Sequence, residues 1–199
     1  MNFSVSPTGA ACGAIIEGLD LSRELVADTV AQLRRAWLAH KVLVFPGQDI
    51  SDGDLERFTC YFGGFGDDPF IAPIEGHPHI IELCRRADER APVFAEVWHT
   101  DWSFQVVPPA GTCLYGITIP PLGGDTGFVN QQRALAAMPA ELRAKLEGRN
   151  ALHSAAAGYA PDGLYGEREK DSDRSMKILP SEEARKVHAH PLIRRHPET

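Results

Sequence analysis

The stretch Val97–Phe104, with the sequence VWHTDWSF, places two metal-binding side chains two residues apart. The residues around them are aromatic or β-branched, which favours a β-strand over a loop. Because side chains alternate between the faces of a strand, His99 and Asp101 are predicted to point the same way. A neutral imidazole and a carboxylate together suit a divalent metal ion. Any strand can carry this pair by chance, so the rest of the chain decides whether the pair is a site.

The composition is that of an ordinary globular domain. The chain has 199 residues, 43% of them hydrophobic, and a formal net charge of −7, so one domain without a phosphate-binding surface is expected. Its four cysteines lie far apart and form no CxxC pair, which favours reduced thiols. No apolar run approaches the roughly 20 residues of a membrane span. We therefore expect a cytoplasmic protein with no nucleic-acid or membrane partner, and homo-oligomer formation is left open.

Hydrophobic periodicity predicts helices and strands on both sides of the metal-binding stretch. Before it, we expect short strands within residues 1–21, a helix from the N-cap Asp28 to His40 and a buried strand over 42–45. A second helix should follow a capping box at 51–54, and a further strand is expected over 80–83. After it, we expect a β-hairpin of strands 112–119 and 126–130, a helix over 131–138, another helix from Pro139 to a stop at Gly148, a polar lid or loop over 158–174, and a short strand within 188–199.

Several separate motifs occur along the chain in a fixed order. They are WHTD at 98–101, followed by Phe104 and by PPA at 108–110, then GGDT at 123–126 and HPLIRRHP at 190–197. Together they resemble the TauD/TfdA family of Fe(II)- and 2-oxoglutarate-dependent dioxygenases. The strand predicted over 42–45 also fits this family, so the resemblance covers essentially all of residues 1–199.

The resemblance implies a mainly β fold with flanking helices, a double-stranded β-helix or jelly roll. Residues 1–199 would form one dioxygenase domain, in which 131–187 is an insertion of helices and loops between core strands. His99 and Asp101 would be the first two iron ligands and the catalytic residues of the chain. Thr126 would bind the cosubstrate by contacting a carboxylate of 2-oxoglutarate.

The same resemblance implies a reaction. Members of the family use Fe(2+), 2-oxoglutarate and dioxygen, convert 2-oxoglutarate to succinate and carbon dioxide, and hydroxylate a small molecule. The expected substrate is a small organic acid. Iron supplies the chemistry, while the protein supplies geometry, an open coordination position and a dry pocket.

One departure from the family concerns the third ligand. Family members supply a second histidine, and an arginine for 2-oxoglutarate, from a stretch beyond the HPxxRxHP motif, so we expect the domain of this chain to be incomplete at its C-terminus. Sheet edges and apolar faces would then be exposed, which predicts self-association. One alternative is a catalytically inactive truncated homologue with partial metal binding. Another is a different β-barrel metalloenzyme that recruits His153 or His190 as third ligand.

The substrate pocket also differs from that of the taurine enzymes. Those enzymes use a histidine and an asparagine where this chain has approximately Asp68 and Ala95, so taurine is not the expected substrate. A pocket lined by Phe70 and Phe104 would favour a partly apolar organic acid, although both rings are equally typical of a plain core.

Overall fold

The computed structural model describes residues 3–166 and 172–199. The chain divides into two compact units, each made of separate segments. The first unit contains Met1–Gly63, Cys113–Arg149 and Ile193–Thr199, and the second contains Gly64–Thr112 and Asn150–Leu192. The predicted insertion over 131–187 is therefore shared between the units, and its status within one domain stays a prediction. No helix among the described residues is long and apolar enough to span a membrane.

The first unit is built on a small mixed sheet. Strand β1 (Ser4–Pro7) pairs antiparallel with β2 (Ala14–Glu17), and β2 pairs in parallel with β3 (Leu43–Val44). The short strands predicted within residues 1–21 are thus confirmed, and the strand predicted over 42–45 is two residues long. Ile16 on β2 is 1% exposed and belongs to a core cluster with Leu19, Leu21, Leu25, Leu33 and Phe58.

Helix α1 (Ala27–His40) covers this sheet and ends where predicted. Its start differs, because Val26 occupies the N-cap position and Asp28 lies in the first turn. The Asp28 carboxylate accepts a hydrogen bond from Gln32 Nε2 at 2.7 Å. Its negative charge also interacts favourably with the positive, N-terminal end of the helix dipole. The aspartate therefore stabilises the first turn from inside the helix.

Helix α2 (Asp52–Cys60) confirms the predicted capping box. The Ser51 hydroxyl accepts from the Asp54 backbone N–H at 3.2 Å, and the Asp54 carboxylate accepts from the Ser51 backbone N–H at 3.0 Å. Hydrogen bonds from Ser51 and then from Arg57 lower the pKa of Asp54 from 3.8 to about 2. The helix start is therefore satisfied by local side chains.

Asp54 makes the stability of the first unit depend on pH. Because the pKa of Asp54 is lower when folded, its stabilising contribution is present above the ordinary value of 3.8 and is lost as the pH falls through about 2. We expect Asp54→Asn to remove this dependence, which urea unfolding at several pH values between 5 and 2 would measure. Asp52→Asn, in the same turn, is the control and should keep the wild-type dependence. Identical pH profiles for wild type and Asp54→Asn would contradict the assignment.

The remaining helices of the first unit follow the metal-binding stretch. They are α3 (Gln131–Ala137), capped by the Asn130 side chain, and α4 (Ala140–Leu146). Pro139 is the N-cap residue of α4 rather than its first helical residue, and Gly148 follows the helix with φ of +71°. The predicted stop at Gly148 is therefore confirmed.

The second unit contains two antiparallel pairs. Strand β4 (Pro73–Ile74) pairs with β5 (His77–Ile81), and β6 (Asn150–His153) pairs with β7 (His188–Pro191). Strand β5 begins three residues before the predicted strand 80–83, and β7 confirms the strand predicted near the end. Helix α5 (Ala156–Tyr159) and a 3₁₀ helix (Glu182–Arg185) complete the unit. Of the predicted excursion 158–174, residues 167–171 lie outside the described residues.

Three strand predictions are wrong. Residues 97–104 form turns and irregular backbone, and the described structure has no strand over 112–119 or 126–130. A strand requires a neighbouring strand to accept and donate its backbone hydrogen bonds, and no described strand pairs with these segments. Their apolar side chains stay exposed, for example Ile117 at 81% and Leu122 at 90%. The described chain is mostly non-helical, with small sheets.

Candidate metal centre

His99 and Asp101 lie next to each other although no strand carries them. His99 Nε2 and Asp101 Oδ1 are 3.1 Å apart. A turn brings them together: residues 101–104 turn, and Trp102 has φ of +45°, a conformation that costs a non-glycine residue energy. The prediction that the two side chains point the same way is therefore confirmed for a reason other than strand alternation.

The protonation of the His99 ring follows from its second contact. His99 Nδ1 lies 2.8 Å from the carbonyl oxygen of Val97. A carbonyl oxygen can only accept, so Nδ1 carries the proton and donates it. In the neutral ring, Nε2 is then left with a free lone pair, which is the form that binds a metal ion.

The Asp101 carboxylate is held in a similar way. Its Oδ2 accepts a hydrogen bond from Thr112 Oγ at 2.6 Å, which leaves Oδ1 facing His99. Thr112 was not predicted from the sequence, because the contact joins residues eleven apart in a segment that was expected to be a strand. The hydroxyl fixes one carboxylate oxygen and leaves the other available.

The two free atoms fit a metal ion. Two ligands at about 2.1 Å from one ion, at right angles to each other, are about 3.0 Å apart, and the observed separation of Nε2 and Oδ1 is 3.1 Å. Both side chains are about half exposed, at 47% and 48%, so an ion could reach them. Two lone pairs at this distance repel unless a proton or a cation lies between them. The donor set and its spacing therefore suit a divalent cation.

A third ligand is not found in the described part of the chain. Residues 3–166 and 172–199 contain no group of three or more His, Cys, Asp or Glu side chains able to hold a metal ion. His153 Nδ1 faces Ser103 Oγ at 3.0 Å, and His190 Nε2 faces the Gln105 carbonyl at 2.9 Å. Neither histidine joins His99 and Asp101 in the arrangement that the alternative metalloenzyme requires.

Comparison with known proteins identifies the family. A model of the family described as "Taurine catabolism dioxygenase TauD, TfdA family" matches residues 4–199. The chain belongs to this family. It is 35% identical over 188 residues to an alkylsulfatase of Acinetobacter baylyi, with 94% of this chain and 57% of the relative covered. It is 30% identical over 201 residues to an alpha-ketoglutarate-dependent sulfate ester dioxygenase of Pseudomonas putida, with coverages of 99% and 64%.

A solved structure extends this similarity to three dimensions. The chain is 31% identical to a taurine dioxygenase from Burkholderia xenovorans described as putative and alpha-ketoglutarate-dependent, with a TM-score of 0.68. The match covers 100% of this chain and 61% of that protein. The TauD/TfdA chain described here thus spans about three-fifths of the length of the relatives it matches.

Asp68, one of the predicted substrate residues, holds the turn that carries the candidate metal ligands. Its Oδ2 accepts from the Trp102 indole N–H at 3.0 Å, and its Oδ1 accepts from the backbone N–H groups of Phe70 and Ile71 at 2.7 and 3.1 Å. Burial raises the pKa of Asp68, although these hydrogen bonds act in the opposite direction. A Cβ added at Gly66 would lie 2.6 Å from Trp102 Cζ3. The indole therefore packs closely against the backbone at Gly66 and donates its N–H to Asp68.

The other predicted pocket residues lie in different environments. Phe70 is 3% exposed, and its ring stacks on Tyr159 at 5.0 Å and contacts Phe104 at 5.5 Å. Burial, followed by the charge of Asp68, raises the pKa of Tyr159, so its hydroxyl stays protonated. Ala95 is exposed with φ of +54°. Phe70 is thus a core ring here, and a substrate contact for any of the three stays a prediction.

Two further observations concern the pocket and the cosubstrate. A cavity of about 40 Å³ lies beside Asp68, His79 and Trp102, which is room for roughly one to three water molecules rather than an organic acid. Thr126 is exposed and lies outside the described helices and strands of the first unit. Its predicted contact with 2-oxoglutarate stays a prediction.

Sequence reasoning missed the residues that anchor the turn. Asp68 was assigned to the substrate pocket, but the Asp-Pro sequence at 68–69 is typical of a turn in which the carboxylate accepts from nearby backbone N–H groups. That local part could have been predicted. The contact between Asp68 and Trp102, 34 residues apart, has no sequence signal and is visible only in the folded chain.

Proposed function

We propose that this chain contributes the metal-binding turn of an Fe(II)- and 2-oxoglutarate-dependent dioxygenase, with His99 and Asp101 as two iron ligands. The observation that carries the proposal is the close approach of two potential metal-ligating atoms, His99 Nε2 and Asp101 Oδ1, which lie 3.1 Å apart. When bound, Fe(II) with dioxygen and 2-oxoglutarate would supply the oxidising chemistry, in which 2-oxoglutarate is decarboxylated to succinate and the substrate is hydroxylated.

The residues of the chain divide the work of orienting the ligands. The Val97 carbonyl oxygen accepts a hydrogen bond from His99 Nδ1–H and so keeps Nε2 of His99 directed at the ion. The Thr112 hydroxyl binds Oδ2 of Asp101 and keeps Oδ1 free for the same purpose. Thr126 would bind a carboxylate of 2-oxoglutarate. In the family, a second histidine and an arginine complete the site.

The fold proposed for the whole protein is a double-stranded β-helix. The likeness to a taurine dioxygenase structure, with 31% identity and a TM-score of 0.68, supports this proposal. The exposed apolar side chains of 112–130 also support it, because strands of a β-helix would bury them between paired strands.

We further propose that the substrate is a small organic acid other than taurine, and that the protein acts in the cytoplasm without a nucleic-acid or membrane partner. The names of two relatives refer to sulfate esters and 2,4-dichlorophenoxyacetate. Asp68 and Ala95 replace the side chains that taurine enzymes use, and the net charge of −7 disfavours nucleic acid. Of the predicted pocket residues, Ala95 is exposed, Phe104 is half-buried and Phe70 is buried.

Metal binding tests the proposal directly. Titration of the chain with Mn(II) should broaden the NMR signals of residues 99–101 before those of other residues. Replacing His99 or Asp101 by alanine leaves one ligand, so we expect the half-saturating Mn(II) concentration to rise about tenfold or more, equivalent to about 1.4 kcal/mol. His188→Ala, on β7, is the control and should bind like the wild type. The site would be rejected if Mn(II) did not broaden the signals of residues 99–101, or if the same broadening occurred in both alanine variants.

A second candidate is a non-catalytic homologue that binds metal weakly through the same two residues. The two candidate ligands found among the described residues are the same under both proposals. The two candidates predict different coding sequences downstream of the codon for Thr199. Extending the reading frame past Thr199 should reveal an isolated histidine and a following arginine for the dioxygenase, whereas a stop codon without them would favour the non-catalytic protein.

A further inference from the structure

The hairpin of β6 and β7 directs a histidine-bearing face towards the interior of the second unit. In its register, His153 lies opposite His188 and Ala151 opposite His190, so these four side chains share one face. All four are partly buried, whereas Leu152 on the other face is 75% exposed. A hairpin that buries histidines and exposes a leucine reverses the usual arrangement, which indicates that the histidines have specific partners.

The partners of His153 and His190 are Ser103 and Gln105, which follow the proposed metal ligand Asp101 in the sequence. His153 Nδ1 lies 3.0 Å from Ser103 Oγ, a part-buried contact. His190 Nε2 lies 2.9 Å from the carbonyl oxygen of Gln105, so this nitrogen carries a proton and donates it. The two imidazole rings pack edge to face with their centroids 5.4 Å apart. Two adjacent rings on one hairpin thus hold two alternate residues of one segment.

The position of this segment decides whether Asp101 faces His99. On the preceding side, Val97 and Trp98 are 74% and 73% exposed, and they provide little packing. On the following side, Trp102 has φ of +45°, a conformation that costs of order 1–3 kcal/mol and persists only where surrounding contacts maintain it. The direction of the Asp101 carboxylate therefore depends on the anchoring of residues 102–105 as well as on the hydrogen bond from Thr112.

We propose that His153 and His190 are positioning residues for the metal centre: through Ser103 and Gln105 they hold the turn that directs Asp101 Oδ1 at the ion shared with His99. The inference rests on the proposed metal binding by His99 and Asp101. It assigns the two histidines a role as supports behind the ligands, in place of the role of third ligand. Their contacts set the geometry of the pair without touching the ion.

The two contacts use different ring nitrogens, which allows a matched test. An asparagine amide reaches the position of Nδ1, and a glutamine amide reaches the position of Nε2. We therefore expect His153→Asn to keep the contact with Ser103 and His153→Gln to lose it. At position 190 the order is reversed: His190→Gln should keep the contact with the Gln105 carbonyl, and His190→Asn should lose it. The readout is the Mn(II) concentration that half-broadens the signals of His99 and Asp101 in the full chain.

The mismatched variants, His153→Gln and His190→Asn, should bind Mn(II) about threefold to tenfold more weakly. This loss is smaller than the loss expected on replacing a residue that hydrogen-bonds a metal ligand directly. The matched variants should bind like the wild type. His188→Asn is the control, because His188 lies on the same face of the hairpin and its side chain has no hydrogen bond within the described residues. Ser103→Ala tests the same contact with little risk to folding and should weaken Mn(II) binding as much as His153→Gln.

The outcomes separate this inference from the proposal it rests on. Equal affinities for wild type, mismatched variants and Ser103→Ala would overturn the positioning role alone. Equal losses for matched and mismatched variants would also overturn it, because they would show that the rings act only through packing. If Mn(II) fails to broaden His99 and Asp101 in the wild type, both the metal site and its supports are rejected.

Discussion

Replacing Leu33 by alanine is expected to lower the free energy of unfolding of the first unit by about 2–5 kcal/mol. Leu33 lies on α1 and is 0% exposed, at the centre of the cluster that joins the helix to β2 and α2. Its loss removes buried apolar surface and leaves a cavity between rigid elements. Hydrogen exchange of the α1 backbone amides, at several urea concentrations, measures the change in this unit.

Leu142→Ala is the matched control for this prediction. Leu142 lies on α4 and is 46% exposed, so the same deletion of atoms should change the free energy of unfolding by less than about 0.5 kcal/mol. Similar effects at both positions would mean that the cluster around Leu33 does not form the core of the first unit.

Replacing Asp68 by alanine is expected to release the turn that carries the metal ligands. The carboxylate accepts from the Trp102 indole and from two backbone N–H groups, and hydrogen bonds to a charged group contribute about 1.5–3 kcal/mol each when buried. Because Asp68 is only partly buried, we expect the free energy of local opening of residues 102–105 to fall by about 2–4 kcal/mol. Exchange of the Gln105 amide, which donates to the Trp102 carbonyl at 2.9 Å, reports this opening.

Asp67→Ala provides the comparison at the neighbouring position. The Asp67 side chain is 93% exposed and lies 3.8 Å from His79, while its backbone carbonyl accepts from Gln105 Nε2. The alanine variant keeps that carbonyl, so the exchange of the Gln105 amide should match the wild type. If Asp68→Ala also leaves this exchange unchanged, the carboxylate does not anchor the turn, and Asp68 would return to its predicted place in the substrate pocket.

Local features of the fold could be predicted because their causes lie within a few residues. The capping box of Ser51 and Asp54 joins residues three apart, and the stop at Gly148 depends on the conformational freedom of one glycine. The start of α1 was misplaced by two residues, because Val26 is the N-cap and Asp28 acts from within the first turn. Such errors are small, since the helix itself follows from its apolar face.

The strands after residue 96 could not be predicted in the same way. A pattern of alternating apolar residues, as at 112–119, states which face would be buried, but the strand forms only beside a pairing partner. In the described chain these residues have none. The expected jelly roll therefore belongs to the proposal, while the small sheets of the two units are what the structure contains.

By itself, the sequence determined the two candidate ligand side chains, the TauD/TfdA motifs and the locally capped helices, because each is a matter of residue type or of spacing over a few residues. Only the tertiary structure decided how the ligands are presented. His99 and Asp101 meet across a turn, and Thr112, Asp68, His153 and His190 hold that turn from distant parts of the chain. Contacts between residues 11 to 85 positions apart leave no periodic trace in a sequence, because they depend on where separate segments come to lie once folded.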